Sequence, residues 1–150
     1  HSRLFLCSAH NAMTNTGSKT NQEGMLSEAN EQMLRQFLTL WAVCDAAGMA
    51  DCFAEDGIYD NVPENKPMLG RAAIRTWLDM CFQHLTRIDV EMLNLASSGD
   101  WVLCDRIDDH VVGDKHMRLP VSNATQFRGG KIALFRDYYC RQTVKELGIA

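Results

Sequence analysis

Apolar residues recur every three or four positions in the first third of the chain, which predicts a helix with one apolar face. The residues of that face are Met33, Phe37, Leu40, Trp41 and Cys44. Ser27 is the predicted N-cap because its hydroxyl can accept a hydrogen bond from the first turn. Gly48 is the predicted end of the helix, and residues 49–54 are predicted to form a short second helix packed back on the first.

The pattern then alternates between strand and helix. Asp56-Gly57 predicts a turn that leads into a strand, and Tyr59 and Asn61 share one face of that strand because side chains alternate along it. Residues 63–67 contain two prolines and predict a loop. Gly70 and Arg71 open a third predicted helix, whose apolar face is Ile74, Trp77, Leu78, Cys81, Phe82 and Leu85.

From Thr86 onward the chain alternates in four long segments of strand type, and a helical piece at residues 142–147 closes it. Residues 97–100, 113–114 and 129–130 separate the segments and are typical of hairpin turns. The segments are longer than the usual strand of about 5–6 residues, so we expect the sheet to bend or bulge. Pro120 lies within the third segment and is expected at a bulge or an edge.

This order of elements predicts an α+β fold, in which a curved, mixed but mainly antiparallel β-sheet wraps around helices in a cone with a deep pocket. The 150 residues fit one domain of that kind. A net charge of −4 and a pI of about 5.7 argue against a nucleic-acid partner. The apolar runs are shorter than the ~20 residues of a membrane span, so no membrane partner is expected.

The first residues of the chain differ in composition from the rest. Residues 1–24 are predicted to be a flexible leader or tail, and residues 25–150 the folded domain. Residues 1–12 are interpreted as a tag remnant or vector-derived leader with the natural start at Met13; a degenerate signal peptide is the alternative, although its apolar part is too short. Residues 13–24 are polar and lack periodic hydrophobes.

The cysteines and histidines are dispersed along the chain. The six cysteines lack a C-x-x-C spacing and are predicted to be buried, reduced thiols, with a disulfide or a reactive role as the alternative. They are Cys7, Cys44, Cys52, Cys81, Cys104 and Cys140. Reduced thiols favour a soluble, cytoplasmic protein. No clustered His and Cys ligands occur, so neither a metal nor a cofactor is expected.

Charged residues interrupt an otherwise apolar strand at residues 102–111. Arg106 and Asp108 share one face of that strand, and such a pair is tolerated inside a domain because each group compensates the other. Asp137 lies in the last strand. If these side chains and those of Tyr59 and Asn61 line one concavity, they form an acid/base site with groups that hold water.

Two other interpretations of the charged strand stay open. An Arg-x-Asp pair on a strand is often only an exposed ion pair. If the register is displaced by one residue, Asp105 and Asp109 face inwards instead, because a one-residue slip reverses every side chain.

The motifs Tyr59-x-Asn61, Arg106-x-Asp108 and Arg136-Asp137-Tyr138 resemble, in order and approximate spacing, the limonene-1,2-epoxide hydrolase family. That family lies within the nuclear-transport-factor-2-like, or SnoaL-like, superfamily, and the resemblance extends from about Glu31 to Leu147. It implies direct addition of water to a small apolar or cyclic epoxide, without a cofactor.

The resemblance also implies a role for each catalytic candidate. Asp137 would be the base, Asp108 the acid and Arg106 the bridge between them. Tyr59 and Asn61 would hold the attacking water.

Other residues are candidates for lining the substrate pocket. They are Met33, Trp77, Met80, His110, Phe135 and Tyr139. His110 shares the face of Asp108 and is interpreted either as a hydrogen-bonded histidine at the rim or as a substrate contact. A homodimer is expected from the resemblance and from the apolar strand residues Val90, Met92 and Leu93.

Two further function classes are compatible with such a fold, because fold alone does not fix chemistry. One is an isomerase or cyclase that uses an aspartate base and a phenol donor on an enolisable ketone. The other is a non-catalytic module that binds a small ligand. The isomerase or cyclase needs one base and an oxyanion donor and has no use for an arginine held between two acids.

Overall fold

The computed structural model describes residues 16–148 as helices packed on one curved sheet. The predicted leader and the start at Met13 lie outside the described residues. In chain order the elements are α1 (Thr16–Ala42), α2 (Ala46–Asp51), β1 (Phe53–Asn61), a 3₁₀ turn (Val62–Glu64), β2 (Met68–Leu69), α3 (Arg71–Cys81), β3 (Arg87–Ser98), β4 (Trp101–Val112), β5 (Lys115–Arg128), β6 (Lys131–Tyr138) and α4 (Arg141–Leu147).

The strands form one six-stranded sheet in the order β2-β1-β6-β5-β4-β3. Strands β3 to β6 form an antiparallel meander with a tight turn at each predicted hairpin. Strand β1 pairs in parallel with β6, which makes the sheet mixed. Helix α1 packs on β3 and β4, and α3 packs on β1. The predicted α+β fold with a curved, mainly antiparallel sheet is confirmed.

The first two helices differ from the prediction at their ends. Helix α1 begins at Thr16 rather than at Ser27, so residues 16–24 are helical and the predicted tail was wrong there. It ends at Ala42, because Cys44 adopts a left-handed conformation with φ of 58°. Gly48 then lies inside α2, where its N–H donates to the Asp45 side chain at 2.9 Å.

The main hydrophobic core lies between the inner face of the sheet and the helices. Leu34 and Phe37 of α1 are fully buried against it, and the Phe37 ring lies 4.8 Å from that of Phe135 and 5.6 Å from that of Phe53. Aromatic pairs at these distances add to the free energy of burial. The core therefore fixes the inner faces of β1 and β6, on which Tyr59 and Asp137 lie.

Gly57 is a bulge inside β1 and not the turn that the sequence predicted. The register between β1 and β6 shifts between Phe53 and Ile58. A Cβ at position 57 would lie 2.9 Å from the carbonyl oxygen of Ala54 and 3.0 Å from that of Ile132, so a larger residue would displace backbone. The bulge sets the alternation that turns Tyr59 inwards.

Pro120 lies where strand β5 has only one neighbour. It pairs with Ile107 of β4, whereas pairing with β6 begins only at Ser122, opposite Tyr138. The missing backbone N–H of proline is therefore tolerated, and the prediction of an edge position is confirmed.

The apolar residues of strand β3 lie on both of its faces. Val90 and Met92 pack against the core beneath α1 and line a groove there with Leu38. Leu93, in contrast, is 48% exposed. A register shift between Met92 and Asn94 exchanges the faces beyond Leu93, so that Leu95 rather than Asn94 packs against the core.

The described cysteines are unpaired, as predicted: Cys44, Cys52, Cys81, Cys104 and Cys140. Cys104 is buried as predicted, Cys44, Cys52 and Cys81 are half-buried, and Cys140, which precedes the surface helix α4, is exposed. Cys7 lies outside the described residues. Among the helices of residues 16–148, none has both the length and the apolar content to cross a bilayer.

Candidate active site

Arg106 lies at the centre of a buried network of charges. Its Nε and Nη2 atoms donate to the two carboxylate oxygens of Asp108 at 2.9 and 3.0 Å. Its Nη1 and Nη2 atoms donate to the two oxygens of Asp137 at 3.1 and 2.9 Å. One planar guanidinium therefore holds two carboxylates in a fixed relative orientation, which is the geometry in which such hydrogen bonds are strongest.

The three charged groups are almost completely shielded from solvent. Arg106 is 1% exposed, Asp108 2% and Asp137 4%. Burial raises the pKa of Asp137, although Arg106 acts against this rise. Burial alone would lower the pKa of Arg106, but the two carboxylates raise it well above its ordinary value. The guanidinium thus stays charged, while Asp137 is a stronger base than an exposed aspartate.

Asn123 and Thr125 of β5 fix the side chain of Asp137. The Asn123 Nδ2 atom donates to Asp137 Oδ1 at 2.8 Å and to the Arg136 carbonyl oxygen at 3.0 Å. The hydroxyl of Thr125 donates to Asn123 Oδ1 at 2.6 Å. Sequence reasoning missed both residues, although two inward polar side chains in an apolar strand were a signal that could have found them.

Trp41 fixes the side chain of Asp108. Its indole Nε1 atom donates to Asp108 Oδ2 at 3.2 Å, and its ring meets that of His110 edge-on with 6.2 Å between centroids. The sequence placed Trp41 on the apolar face of α1 and gave no role to its N–H group. Helix α1 thereby contributes a polar contact to a site built mainly on the sheet.

Tyr59 and Asn61 lie beside the network on strand β1. Asn61 is the direct register partner of Asp137, and Tyr59 that of Phe135. Tyr59 is 2% exposed, and burial raises the pKa of its phenol well above the ordinary value. Of the nearby charges, Asp137 acts on the phenol more strongly than Asp108 does. The neutral phenol and the amide therefore belong to the Asp137 side of the site.

A cavity of about 310 Å³ opens over these groups. Its walls include most of the predicted site: Tyr59, Asn61, Trp77, Asp108, His110, Asp137 and Tyr139. Residues that sequence reasoning did not assign to it complete the lining: Trp41, Glu64, Leu119, Val121 and Val144. Arg106 lies behind the two aspartates and outside this lining.

Three predicted lining residues lie elsewhere. Met33 packs against the core, and Phe135 is buried within it beneath Tyr59, with 4.8 Å between their ring centroids. Met80 is 59% exposed and lines a second cavity of about 420 Å³. Trp41 and His110 form a wall common to the two cavities. The helical period placed Met33 and Met80 on the correct helices. It did not show that Met33 faces the core and Met80 the second cavity.

The mouth of the first cavity carries a second polar pair. Tyr139 donates from its hydroxyl to Glu64 Oε1 at 3.2 Å, and burial raises the pKa of this phenol. Glu64 belongs to the 3₁₀ turn that follows β1, a segment the sequence predicted to be a loop. The rim is thus polar where Tyr139 and Glu64 meet.

Asp105 and Asp109, the alternative inward acids, lie on the outer face of β4. Asp109 Oδ2 lies 2.8 Å from His116 Nδ1. The Arg87 guanidinium donates to the two carboxylate oxygens of Asp89 at 2.9 and 3.2 Å. Carboxylate and imidazole atoms of Asp89, Asp109 and His116 lie within 4.8 Å of one another. These contacts make the group an outer-face ion-pair cluster, remote from the cavity.

The arrangement provides one acid and one base at a single site. Two carboxylates held on one cation bring two proton-transfer groups within reach of one ligand. A ligand in the cavity meets Asp108 near Trp41 and Asp137 near Asn61, so proton donation and proton abstraction can act on different parts of it.

Comparison with known proteins places the fold in a recognised group. Residues 34–135 match the SnoaL-like domain family. The fold is similar to that of an epoxide hydrolase from Mycobacterium tuberculosis described as like limonene epoxide hydrolase, with 20% identity, a TM-score of 0.71 and coverage of 81% of this chain and 90% of that chain.

Two other solved structures share the fold. A hypothetical protein with a ketosteroid-isomerase-like fold from Catenulispora acidiphila, solved with trimethylamine, is 22% identical, with a TM-score of 0.62 and coverage of 72% of this chain and 88% of that chain. A protein of unknown function from Burkholderia xenovorans, described as similar to nuclear transport factor 2, is 18% identical, with a TM-score of 0.64 and coverage of 77% and 86%. At these identities the likeness establishes the fold and leaves the chemistry to the site.

Proposed function

This chain belongs to the SnoaL-like domain family, and on that premise we propose that it is an epoxide hydrolase, which adds water to a small apolar or cyclic epoxide to give a vicinal diol. The observation that carries the proposal is the buried Asp108–Arg106–Asp137 network beside Tyr59 and Asn61. Ring opening needs a nucleophile at carbon and a proton at oxygen, and this network offers a base and an acid within one cavity.

In the proposed reaction Asp137 takes a proton from a water molecule that Tyr59 and Asn61 hold. The water oxygen attacks one oxirane carbon, the carbon–oxygen bond breaks, and Asp108 donates a proton to the departing oxygen. Each positioned proton transfer contributes about 10²–10⁴-fold, or roughly 3–5 kcal/mol of barrier. The proton gained by Asp137 returns to Asp108 between turnovers, and no cofactor takes part.

The assignment of base and acid follows the surroundings of the two carboxylates. Arg106 bonds both acids equally, so its contacts do not distinguish them. Asn61 is the register partner of Asp137, and the Tyr59 phenol interacts more strongly with Asp137 than with Asp108. Water held by these two residues therefore lies on the Asp137 side, which supports Asp137 as the base.

A single turnover in ¹⁸O-labelled water tests the direct mechanism. Excess enzyme with one epoxide, such as cyclohexene oxide, should give a diol that carries the label from the first turnover, because the attacking oxygen comes from water. Mass spectrometry of the diol measures this. A first-turnover diol without label would show that a carboxylate attacks and would contradict the proposal.

The pH dependence of kcat/KM should report the raised pKa of Asp137. The base must be ionised, so activity is lost as the pH falls through the folded pKa, and burial places that pKa above the ordinary 3.8. The acid limb should therefore lie above pH 3.8. Initial rates from pH 3 to 9 check this. A limb at or below the value of a free aspartate, with the fold intact by circular dichroism, would contradict it.

We also propose that the protein is a homodimer formed through the outer face of the sheet. An outer groove of about 590 Å³ lies over β3, β4 and β5, with Leu103 49% and Tyr138 44% exposed beside Ala96 and Ala124. Apolar surface of this kind is typical of protein contacts. Light scattering after gel filtration should give twice the mass of the 16.9 kDa chain, and Leu103→Arg should reduce it to one chain.

An isomerase or cyclase that acts on a ketone is the competing enzyme class. It needs a single base and an oxyanion donor, whereas here a second carboxylate shares the arginine with the first.

The described free cysteines fit a reducing compartment, so we propose a cytoplasmic location.

A further inference from the structure

His110 is a buried histidine that the proposed reaction leaves without a task. It is 6% exposed, and its Nδ1 atom has no hydrogen-bond partner among the described residues. A buried polar group without a partner costs about 1–3 kcal/mol, so such groups are uncommon unless they have a function. The ring lies in the wall between the two cavities, where a bound ligand can meet it.

The backbone fixes the direction of His110 relative to Asp108. The two residues share the inner face of β4 and lie about 6.6 Å apart along it, since a strand rises about 3.3 Å per residue. Trp41 touches both, through its N–H group and through the edge of its ring. A ligand whose oxygen accepts a proton from Asp108 can therefore place a second group at His110, several bonds away.

The charges around the cavity restrict what that second group can be. Asp108, Asp137 and Glu64 line the cavity, whereas Arg106 is engaged by both aspartates and Arg141 lies 3.6 Å from Glu64. A carboxylate or phosphate on the ligand would meet an acidic wall. An imidazole nitrogen can donate to a carbonyl or accept from a hydroxyl, so neutral oxygen groups fit both the charge and the chemistry.

We propose that His110 binds a neutral hydroxyl or carbonyl group of the epoxide substrate, placed on the side of the molecule away from the oxirane. The substrate class is then an oxygenated cyclic epoxide rather than a pure hydrocarbon, a conclusion that rests on the proposed function. Rotation of the ring about its Cβ–Cγ bond exchanges its two edges, so a nitrogen can meet a group in either cavity.

The test compares cyclohexene oxide with the same ring carrying one hydroxyl group on a carbon farthest from the oxirane. The wild type should prefer the hydroxylated epoxide in kcat/KM, and His110→Leu should reduce that preference about tenfold, the change that one hydrogen bond of ordinary net strength gives. His110→Gln, which keeps a hydrogen-bonding group, should retain most of it. His116→Leu removes an outer-face histidine that is half exposed and should leave the preference unchanged.

Binding of both epoxides to the Asp137→Asn variant, with and without His110→Leu, separates this inference from the proposed function. If both epoxides are hydrolysed and His110→Leu leaves their ratio unaltered, the role of His110 is overturned and the hydrolase stands. If neither epoxide is hydrolysed, calorimetry with the Asp137→Asn variant decides. Tighter binding of the hydroxylated ring that disappears with His110→Leu supports the role of His110, and equal binding of the two epoxides overturns it.

Discussion

Asp137→Asn should lower kcat/KM for an epoxide by about 10²–10⁴-fold, because the amide cannot take the proton from water. The substitution keeps the size of the side chain, and Asn123 and Arg106 still surround it. Arg106 also keeps both contacts to Asp108, so we expect the domain to fold. Diol formation measured by gas chromatography for the variant and the wild type checks this.

Asp60→Asn is the matched control. Asp60 precedes Asn61 on β1 and points to the opposite face, where it pairs with Arg136 at 3.5 Å. It is thus a carboxylate at the same level of the sheet but outside the cavity, and its removal should leave kcat/KM near the wild-type value. Equal losses in Asp60→Asn and Asp137→Asn would mean that the effect is structural, and the assignment of the base would fall.

Arg106→Met should lower the free energy of unfolding by about 3–5 kcal/mol at neutral pH and abolish activity. Two carboxylates then remain buried without a cation, and breaking a buried ion pair from one side costs that much. Urea unfolding of the variant and the wild type measures the loss. Activity should disappear as well, because the carboxylates lose the group that fixes their orientation.

The loss of stability in Arg106→Met should shrink as the pH is lowered to about 5. Without the guanidinium the pKa of Asp137 in the folded state rises further above its value in the unfolded state. Protonation of Asp137 then stabilises the folded state, and this stabilisation is lost as the pH rises through the folded pKa. Arg118→Met is the control, since Arg118 pairs with Glu91 on the exposed surface. A pH-independent deficit in Arg106→Met, or an equal one in Arg118→Met, would contradict this account.

The sequence contained the succession of strands in the meander and the inward face of β4, because alternation in β4 and helical spacing in α1 are local properties. It therefore located Arg106 and Asp108 on one face, whereas their meeting with Asp137 was only a conditional expectation. It did not contain the contact between Trp41 and Asp108, which depends on how a helix rotates over a sheet distant in sequence. The start of α1 was also missed, since exposed polar residues carry no periodic signal.

Bulges were the other source of error. Asp56-Gly57 has the composition of a turn, yet the chain continues as a strand because β6 supplies a partner on the far side. The shift between Met92 and Asn94 places Leu95 rather than Asn94 against the core. At both bulges the chain carries residues without a register partner, and their number depends on the neighbouring strand rather than on local composition.

The parallel pairing of β1 with β6 has a kinetic consequence. Asn61 and Asp137 are neighbours in space but lie far apart in sequence, with α3 and strands β3 to β5 between them. The meander from β3 to β6 can form by successive hairpins, whereas this contact requires closure of a loop that contains more than half of the described residues, a slow kind of step in folding. A folding chain would therefore bring Arg106, Asp108 and Asp137 together before Tyr59 and Asn61 join them, and catalytic competence would be the last property that the chain acquires.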